Sequence, residues 1–289
     1  MTAAIYARRA NKTVLLLEAN SFGGQIINAH SIENYPAEPH ISGFDFAMKL
    51  YEQAQALGAE FVFDKAVSIV DKGDEKLVNT AEASYHAGAV IIATGSDKRK
   101  LGLENEDELV GRGVSYCATC DGAFFRGKSV AVAGGTRVAL EDALYLADIV
   151  EKVYLVHRSD KFPGSEADLE RLKARDNVEL VLNSEITSLN AGTALESIDV
   201  SAKDGSKRTI EVSGLFVAVG RVPENQNFST VIELDEKGYA VAGEDCLTKT
   251  AGIFVAGDNR VKQVRQLVTA AADGAVAATA AVQFIMHNS

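Results

Sequence analysis

Two cysteines three residues apart are the residues best suited to chemistry in this chain. Cys117 and Cys120 flank Ala118 and Thr119 in a C-x-x-C spacing. Such a pair can close a disulfide reversibly, and its surroundings can lower the pKa of one thiol. The alternative is half of a zinc site, which needs a second pair of ligands. Cys246 stands alone and the five histidines form no paired motif, so the spacing favours redox chemistry and predicts no metal site.

Asp121 comes directly after the pair. A carboxyl group in this place can supply or take up a proton when a thiolate leaves, which is general acid–base chemistry. It can equally begin the next turn, since aspartate is a common capping residue. The spacing leaves both roles open.

Length and composition predict a globular protein of two domains. The 289 residues are long for one domain, and 47% of them are hydrophobic and 24% charged. The net charge of −11 and the pI near 5.0 argue against a nucleic-acid-binding surface. Three cysteines do not form a secreted disulfide framework, so a close pair indicates a redox or metal site in a reducing compartment.

Hydropathy predicts a protein without a membrane span. No uninterrupted apolar run reaches the roughly 18 residues that a span needs. The stretch that begins at Thr269 comes nearest, and Asp273 interrupts it. Arg8 and Arg9 follow the short apolar start instead of preceding it, which does not fit a signal peptide. We therefore predict a cytoplasmic protein that does not bind membranes.

Short β-branched runs alternate with glycine turns and helical patterns, which predicts an α/β fold. Between residues 137 and 150 the apolar side chains have the spacing of one helix face. This helix, with the strands before and after it, forms a βαβ unit of an open parallel sheet. Six buried strands are predicted, at residues 14–17, 90–93, 130–133, 153–156, 216–219 and 253–256.

The first βαβ unit is incomplete. Residues 2–10 have a helical pattern, and the strand after them ends at Glu18. In a dinucleotide-binding fold such an acid binds a ribose hydroxyl, and a glycine loop lies about 20 residues before it. Counting back from Glu18 passes the first residue, so we expect the first strand and its glycine loop to be lacking. Without that loop, Glu18 can also be an exposed acid at a strand end.

The residues around the cysteines resemble a known family. The segment Gly113–Phe125, which reads GVSYCATCDGAFF, is similar to the active-site segment of low-molecular-weight bacterial thioredoxin reductases, which are FAD-linked disulfide oxidoreductases. Further motifs resemble the flavin-contacting segments of that family, in the same order along the chain: Phe22–Ile26, Ile32–Pro36, Ile92–Ser96, and Gly252–Asp258 with Arg265, Gln266, Thr269 and Ala270.

The resemblance implies a Rossmann-like flavoprotein with two dinucleotide-binding domains, the second inserted in the first, and a homodimer. Residues 1–105 and 225–289 would form the FAD domain, and residues 106–224 the pyridine-nucleotide-type domain. By family position the cofactor-binding residues are Glu18, Gly23, Gly24, Gln25, Asn34, Ala93, Thr94, Gly95, Gly257, Asp258, Arg265 and Gln266. Without the family match, turn chemistry and local caps would explain most of these positions.

The resemblance also implies a mechanism. Reduced flavin would pass two electrons into the Cys117–Cys120 disulfide, and the resulting dithiol would reduce thioredoxin. Cys120 would face the flavin, Cys117 would attack the thioredoxin disulfide, and Asp121 would be the acid–base residue. Because the first glycine loop is lacking from the sequence, we expect weak FAD binding.

The inserted domain departs from the family pattern in its glycine loop. The family has three glycines where this chain reads Gly134, Gly135 and Thr136. The third residue must let the backbone approach a pyrophosphate, and Thr136 places a β-branched side chain there.

The second departure concerns the 2′-phosphate of NADPH. The NADPH-using relatives have arginines where this chain has Ser159 and Pro163, and only Arg158 remains in its family position. Two readings stay open. Either NADPH binds weakly through Arg158 and Lys161, or the chain is a ferredoxin-linked reductase that does not use pyridine nucleotides. The joint loss of both phosphate contacts favours the second. A non-catalytic flavoprotein scaffold is a further alternative, which the intact cysteine pair disfavours.

Overall fold

A computed structural model describes residues 1–29, 31–162 and 166–288. The chain divides into two compact units. Unit 1 is Met1–Asp97 with Val222–Ser289, and unit 2 is Lys98–Arg221. The second unit is therefore inserted in the first, with junctions after Asp97 and Arg221 where the sequence predicted them after 105 and 224.

Unit 1 begins with alternating helices and strands. Its α2 helix starts at Ser42, whose hydroxyl accepts a hydrogen bond from the Asp45 N–H at 3.0 Å and so caps the helix. The elements of this part are α1 (Thr2–Arg9), β1 (Leu15–Glu18), α2 (Gly43–Ala56), β2 (Glu60–Phe63), β3 (Ala66–Asp71), β4 (Lys76–Thr80), β5 (Ser84–Ala87), β6 (Val90–Ile92) and β7 (Ser96–Lys98).

Unit 2 contains a five-stranded parallel sheet. Its elements are β8 (Val114–Ser115), α3 (Ala118–Asp121), β9 (Ser129–Ala133), α4 (Arg137–Ala147), β10 (Lys152–His157), α5 (Glu166–Lys173), β11 (Val178–Leu182), β12 (Ser184–Ala191), β13 (Leu195–Ala202), β14 (Lys207–Glu211) and β15 (Gly214–Val217). The chain then returns to unit 1 through β16 (Arg221–Pro223) and ends with β17 (Ile253–Val255) and α6 (Leu267–His287).

The sheet of unit 2 positions the cysteines. Its strands are parallel in the order β11-β10-β9-β15-β8, and β12-β13-β14 form a separate antiparallel sheet. The carboxyl ends of parallel strands meet at one edge of a sheet, where ligands bind in open α/β folds. The cysteine pair follows β8 and the loop with Gly134 and Gly135 follows β9, so both lie at this edge. The core on one face of the sheet includes Val130, Val132, Leu140, Leu146, Leu155, Leu172 and Phe216.

Unit 1 has smaller sheets. The pairs β1-β2 and β6-β17 are parallel, β3-β4-β5 is antiparallel, and β7 pairs with β16. Helix α6 packs against α1, β6 and β17. The largest core cluster of this unit contains Ile69, Val78, Ile92, Phe228, Val231, Ile232, Ala240, Ile253 and Val255.

The predicted βαβ unit and all six predicted strands are present, but two of the strands are less buried than predicted. In β6 only Ile92 is buried, and Ala93 after it is exposed. Strand β1 is not buried: Leu15 is exposed and the rest of the strand is half-buried. Among the described residues β1 pairs only with β2, which leaves its other edge uncovered. The α/β fold class is confirmed.

Helix α6 is unusually apolar for its length. With 21 residues it is long and apolar enough to cross a bilayer by length and composition. Asp273 interrupts the apolar run of this helix, so the sequence did not predict it as a membrane span. Core helices of globular proteins pass the same test, and Asp273 lies in a buried ion pair with Arg260 at 2.8 Å, so the helix is weak support for a membrane span.

Candidate redox and cofactor sites

The cysteine pair forms a disulfide at the carboxyl end of β8. The Cα atoms of Cys117 and Cys120 are 5.3 Å apart, within the usual range for a disulfide. Cys117 precedes the single turn of α3 and is half-buried, while Cys120 is exposed. The Cys117 N–H donates to Ser115 Oγ at 3.1 Å, which ties the pair to the end of the strand.

Asp121 lies next to the disulfide in a half-buried position. Its Oδ2 accepts a hydrogen bond from the Ser115 hydroxyl at 2.6 Å. Burial raises the pKa of Asp121, and the Ser115 hydrogen bond and the charge of Lys98 oppose that rise without cancelling it. Asp121 also precedes a 3-10 turn, but its side chain makes no cap hydrogen bond there. Its surroundings suit a carboxyl group that keeps a proton above the usual range of an aspartate.

A cation lies beside this site that the sequence did not reveal. The Lys98 ammonium is 4.7 Å from the centre of the Tyr116 ring, and Tyr116 directly precedes Cys117. Burial lowers the pKa of Lys98, and the charge of Arg221 lowers it further. The Tyr116 hydroxyl donates to the buried Glu106 at 2.8 Å. No local pattern links Lys98 to a cysteine 19 positions later, so only the fold could show this neighbour.

The predicted cofactor-binding residues of unit 1 come together from distant parts of the chain. Gln25 Nε2 donates to the Ser96 carbonyl at 2.5 Å, which joins the first motif to the segment after Gly95. Asn34 Nδ2 donates to Gln266 Oε1 at 3.1 Å. Four of the five predicted motifs therefore contact another of them.

The last motif and the end of β6 are also tied into this network. The Arg265 guanidinium donates to the Asp258 carbonyl at 3.4 Å. The Thr94 hydroxyl donates to Asn225 Oδ1 at 3.3 Å, and Asn225 was not among the predicted residues. Asn225 is fully buried and donates to the Asn259 carbonyl at 2.6 Å, so it links the ends of β6 and β17.

The glycines of unit 1 differ in what surrounds them. Gly24, Gly95 and Gly257 all have φ between +55° and +92°, which non-glycine residues rarely adopt. A Cβ at Gly24 or Gly95 would meet no described atom within 4 Å, so these two positions border open space. Gly23 is different, because a Cβ there would lie 2.6 Å from Ala47 Cβ. Gly23 is therefore explained by this packing together with its φ of +95°.

Two buried polar atoms support a polar ligand near these glycines. Among the described residues, Ser96 Oγ and Asn259 Oδ1 are buried without a hydrogen-bond partner in the protein. Buried polar atoms rarely remain unpaired. Both residues adjoin predicted cofactor positions, at Gly95 and Asp258. The open glycine surface and these two atoms fit a large cofactor with polar groups, such as FAD.

The two remaining predicted positions show no such fit. Glu18 Oε1 accepts from the Asn20 N–H at 2.9 Å, a contact within its own turn. This is the strand-end role that the sequence left open for it. Ala93 follows β6 and is exposed.

The two glycines of the unit 2 loop lie close against other atoms of the protein. A Cβ at Gly134 would lie 2.5 Å from the Ala218 carbonyl oxygen, and a Cβ at Gly135 would overlap the His157 ring. Both glycines are thus required by internal packing. Thr136 follows them at the start of α4, where its side chain makes no cap hydrogen bond.

The rest of the predicted nucleotide site is sparse. Arg158 and Lys161 are exposed, and Ser159 is half-buried. The Ser159 hydroxyl accepts from the Lys161 N–H at 3.1 Å, a contact within the turn. Pro163 lies outside the described residues. Of the predicted 2′-phosphate clamp, only Arg158 and Lys161 supply cations, and both are exposed. Among residues 1–29, 31–162 and 166–288, no group of three or more Cys, His, Asp or Glu is arranged to hold a metal ion.

The chain is similar to known proteins over nearly its whole length. Residues 1–275 match the family described as pyridine nucleotide-disulphide oxidoreductase. A thioredoxin reductase of Listeria innocua is 39% identical over 99% of this chain and 90% of its own. The crystal structure of a thioredoxin reductase from Streptococcus pyogenes has a TM-score of 0.94 and 37% identity, covering 99% of this chain and 94% of its own. The chain belongs to the thioredoxin reductase family.

This membership confirms the function predicted from the cysteine motif. The chain is a flavin disulfide oxidoreductase with a redox-active Cys117–Cys120 pair, and FAD is the cofactor of its family. A second solved structure, of a ferredoxin-flavin thioredoxin reductase from Clostridium acetobutylicum, is 28% identical. Its TM-score is 0.53, and the match covers 99% of this chain and 93% of its own.

Proposed function

We propose that this thioredoxin reductase holds FAD in unit 1 and reduces thioredoxin through Cys117, with Asp121 as the acid–base residue. The single observation that carries the proposal is the disulfide at the carboxyl edge of the sheet, next to a carboxyl group whose pKa is raised by burial. Gln25, Asn34, Thr94, Asp258, Arg265 and Gln266 would hold the cofactor. Bound FAD would supply the electron pair that opens the disulfide.

The dithiol would reduce thioredoxin by two successive thiol–disulfide exchanges. The Cys117 thiolate attacks one sulfur of the thioredoxin disulfide, and the sulfur that leaves takes a proton from Asp121. Cys120 then attacks the Cys117 sulfur, which closes the disulfide and releases the second thioredoxin sulfur as a thiolate; this thiolate takes up from solvent the proton that Cys117 lost when it ionised. The Cys120 proton returns the Asp121 carboxylate to its acid form. Thioredoxin gains two electrons and the cysteine pair loses two.

The choice of Cys117 as the attacking residue rests on the family position. Exposure does not select it, because Cys120 is the more exposed of the two. The two single variants separate the roles. Cys120→Ser should accumulate a mixed disulfide with thioredoxin, since the resolving thiol is gone, and Cys117→Ser should not.

The measurement is mass spectrometry of each variant after reaction with thioredoxin. Cys246→Ser is the matched control, because it removes a buried thiol outside the pair and should turn over like the wild type. A mixed disulfide in Cys117→Ser but not in Cys120→Ser would reverse the two roles. Undiminished turnover in both variants would exclude the pair as the redox centre.

For the electron donor we infer a ferredoxin-type protein over NADPH. The glycine loop of unit 2 has Thr136 where the family has its third glycine, and the phosphate clamp has Ser159 and Pro163 where NADPH-using relatives have arginines. The ferredoxin-flavin relative supports this choice. Relatives that are 37–39% identical carry only the name thioredoxin reductase, so the alternative is an NADPH enzyme with a variant clamp.

The donor test is anaerobic reduction of the bound flavin, followed by its visible absorbance, with NADPH, NADH and reduced ferredoxin in turn. Fast bleaching by reduced ferredoxin alone is expected. Fast bleaching by NADPH would overturn the inference, and no bleaching by any donor would favour the non-catalytic scaffold.

We also propose that the enzyme is a cytoplasmic homodimer. The family resemblance supports this, and so does the exposure of Val268 and Val276 on α6 in the single chain. Sedimentation velocity should give twice the mass of one chain, and a monomer across the micromolar range would contradict it.

A further inference from the structure

A buried charge cluster holds the loop that follows β17. Asp273 on α6 accepts two hydrogen bonds from Arg260, one from Nε and one from Nη2, both at 2.8 Å. It accepts a third from Lys262 Nζ at 2.9 Å and a fourth from the Gly257 backbone N–H at 2.8 Å. The side chains of Asp273, Arg260 and Lys262 are 6%, 1% and 6% exposed. One carboxylate thus gathers both ends of a six-residue loop.

The contacts of Asp273 are of the strong kind. Hydrogen bonds from cations and backbone amides to a buried carboxylate are short and charge-assisted, and the Arg260 pair is bidentate. Burial alone would raise the pKa of Asp273, but the hydrogen bonds from Arg260, Lys262 and Gly257 outweigh it and lower that pKa. The carboxylate therefore stays ionised at neutral pH.

The loop has a second set of contacts on its other side. Asn259 is fully buried, and its Nδ2 donates to the Ile92 carbonyl at 3.1 Å. Its carbonyl accepts from the Ala240 N–H at 2.9 Å. Asp258 stands between Gly257, which is held by Asp273, and Asn259, which is held by β6. The orientation of Asp258 is set by both neighbours.

We propose that Asp273 is a positioning residue for the cofactor site: it fixes the backbone of Gly257 and Asp258 in the conformation that holds the cofactor. The inference rests on the proposed role of those two residues in FAD binding. Gly257 has φ +92°, and its N–H is aimed at the carboxylate. Without that carboxylate, Arg260 and Lys262 would lie together with the exposed Glu244, 3.4 Å from Arg260 Nη2, as a weak counter-charge, and the loop would have to move.

The experiment compares Asp273→Asn with a matched control in the same unit. Asp71→Asn also takes the carboxylate from a buried lysine, since Lys76 is 1% exposed and its Nζ is 2.6 Å from Asp71 Oδ1. That pair touches no predicted cofactor residue. Both variants are titrated with FAD, followed by flavin fluorescence. Hydrogen exchange of the flavin-free proteins reports on the amides of residues 257–262.

Asp273→Asn should weaken FAD binding by at least roughly tenfold, the value of one charge-assisted hydrogen bond. It should also speed exchange at residues 257–262. Asp71→Asn should keep the wild-type affinity and the wild-type exchange in that loop, whatever it does to the melting temperature. Equal loss of FAD affinity in both variants would show that Asp273 is merely stabilising and would overturn the proposal.

Two further arms keep the test decisive. If Asp273→Asn does not fold, Asp273→Glu keeps the negative charge but displaces the carboxylate, and it should weaken FAD binding and speed loop exchange. Wild-type values for both in Asp273→Glu would overturn the proposal. If the wild type binds no FAD, the cofactor proposal fails, and exchange in the flavin-free loop still decides whether Asp273 positions it.

Discussion

Rebuilding the phosphate clamp of unit 2 should make NADPH a better reductant of the bound flavin. The variant is Thr136→Gly with Ser159→Arg and Pro163→Arg. The first change removes the β-branched side chain at the start of α4, and the other two restore arginines that can bind a 2′-phosphate bidentately. His157 stays against Gly135 in this variant, so the pyrophosphate contact is only partly restored.

The expected magnitude follows from the contacts. A hydrogen bond to a charged group contributes about 1.5–3 kcal/mol, so two arginines represent about 3–6 kcal/mol. Arg158 and Lys161 are exposed and Ser159 is only half-buried, so solvent screens these charges and the lower end applies. About 3 kcal/mol corresponds to roughly a hundredfold lower Kd for NADPH.

The assay is anaerobic stopped-flow reduction of the flavin over a range of NADPH concentrations. The wild type should show slow reduction that does not saturate, and the variant should saturate. A charge-matched control places the two arginines at Thr187 and Ser206, which are exposed in the same unit, and should behave like the wild type. Wild-type saturation at micromolar NADPH with ordinary enzyme rates would refute the reasoning. The chain would then be an NADPH reductase with an unusual clamp.

Two further predictions concern carboxyl groups of unit 2. Burial raises the pKa of Asp142 from 3.8 to about 6, so the stability it contributes is present below 3.8 and is lost as the pH rises through about 6. Asp142→Asn should therefore raise the free energy of unfolding by on the order of 2 kcal/mol above pH 7 and by little below pH 4. Urea denaturation at both pH values tests this, with the exposed Asp148→Asn as the control variant. An equal gain in stability at both pH values would contradict it. Ser115→Ala removes a hydrogen bond that lowers the pKa of Asp121, so the pH at which thioredoxin reduction falls off should move upwards; a downward shift in the pH–rate profile would exclude Asp121 as the acid.

Local patterns were enough to predict the redox chemistry and the fold class. The spacing of Cys117 and Cys120 is a property of four residues, and the βαβ unit around α4 follows from periodicity and glycine turns within one short segment. Strand ends were predicted to within two residues. These features depend on neighbours along the chain, so no knowledge of packing was needed.

The burial of β1 and the size of α6 show where such patterns fail. An apolar run predicts a strand, but its burial depends on what covers each edge, and β1 pairs on one side only among the described residues. An acid within an apolar helix reads as an interruption until its partners are known. The partners of Asp273 are Arg260 and Lys262, which lie between the two parts of the predicted flavin motif and had no predicted role.

By itself, then, the sequence determined that this chain carries a redox disulfide, a parallel α/β architecture and the ordered motifs of a flavoprotein. Tertiary structure alone decided that Lys98 lies over Tyr116, that Gln25 meets Ser96, and that His157 fills the space over Gly135. These are contacts between residues up to 71 positions apart. Charge, desolvation and steric exclusion act through space over a few ångströms, and only the folded chain sets those distances.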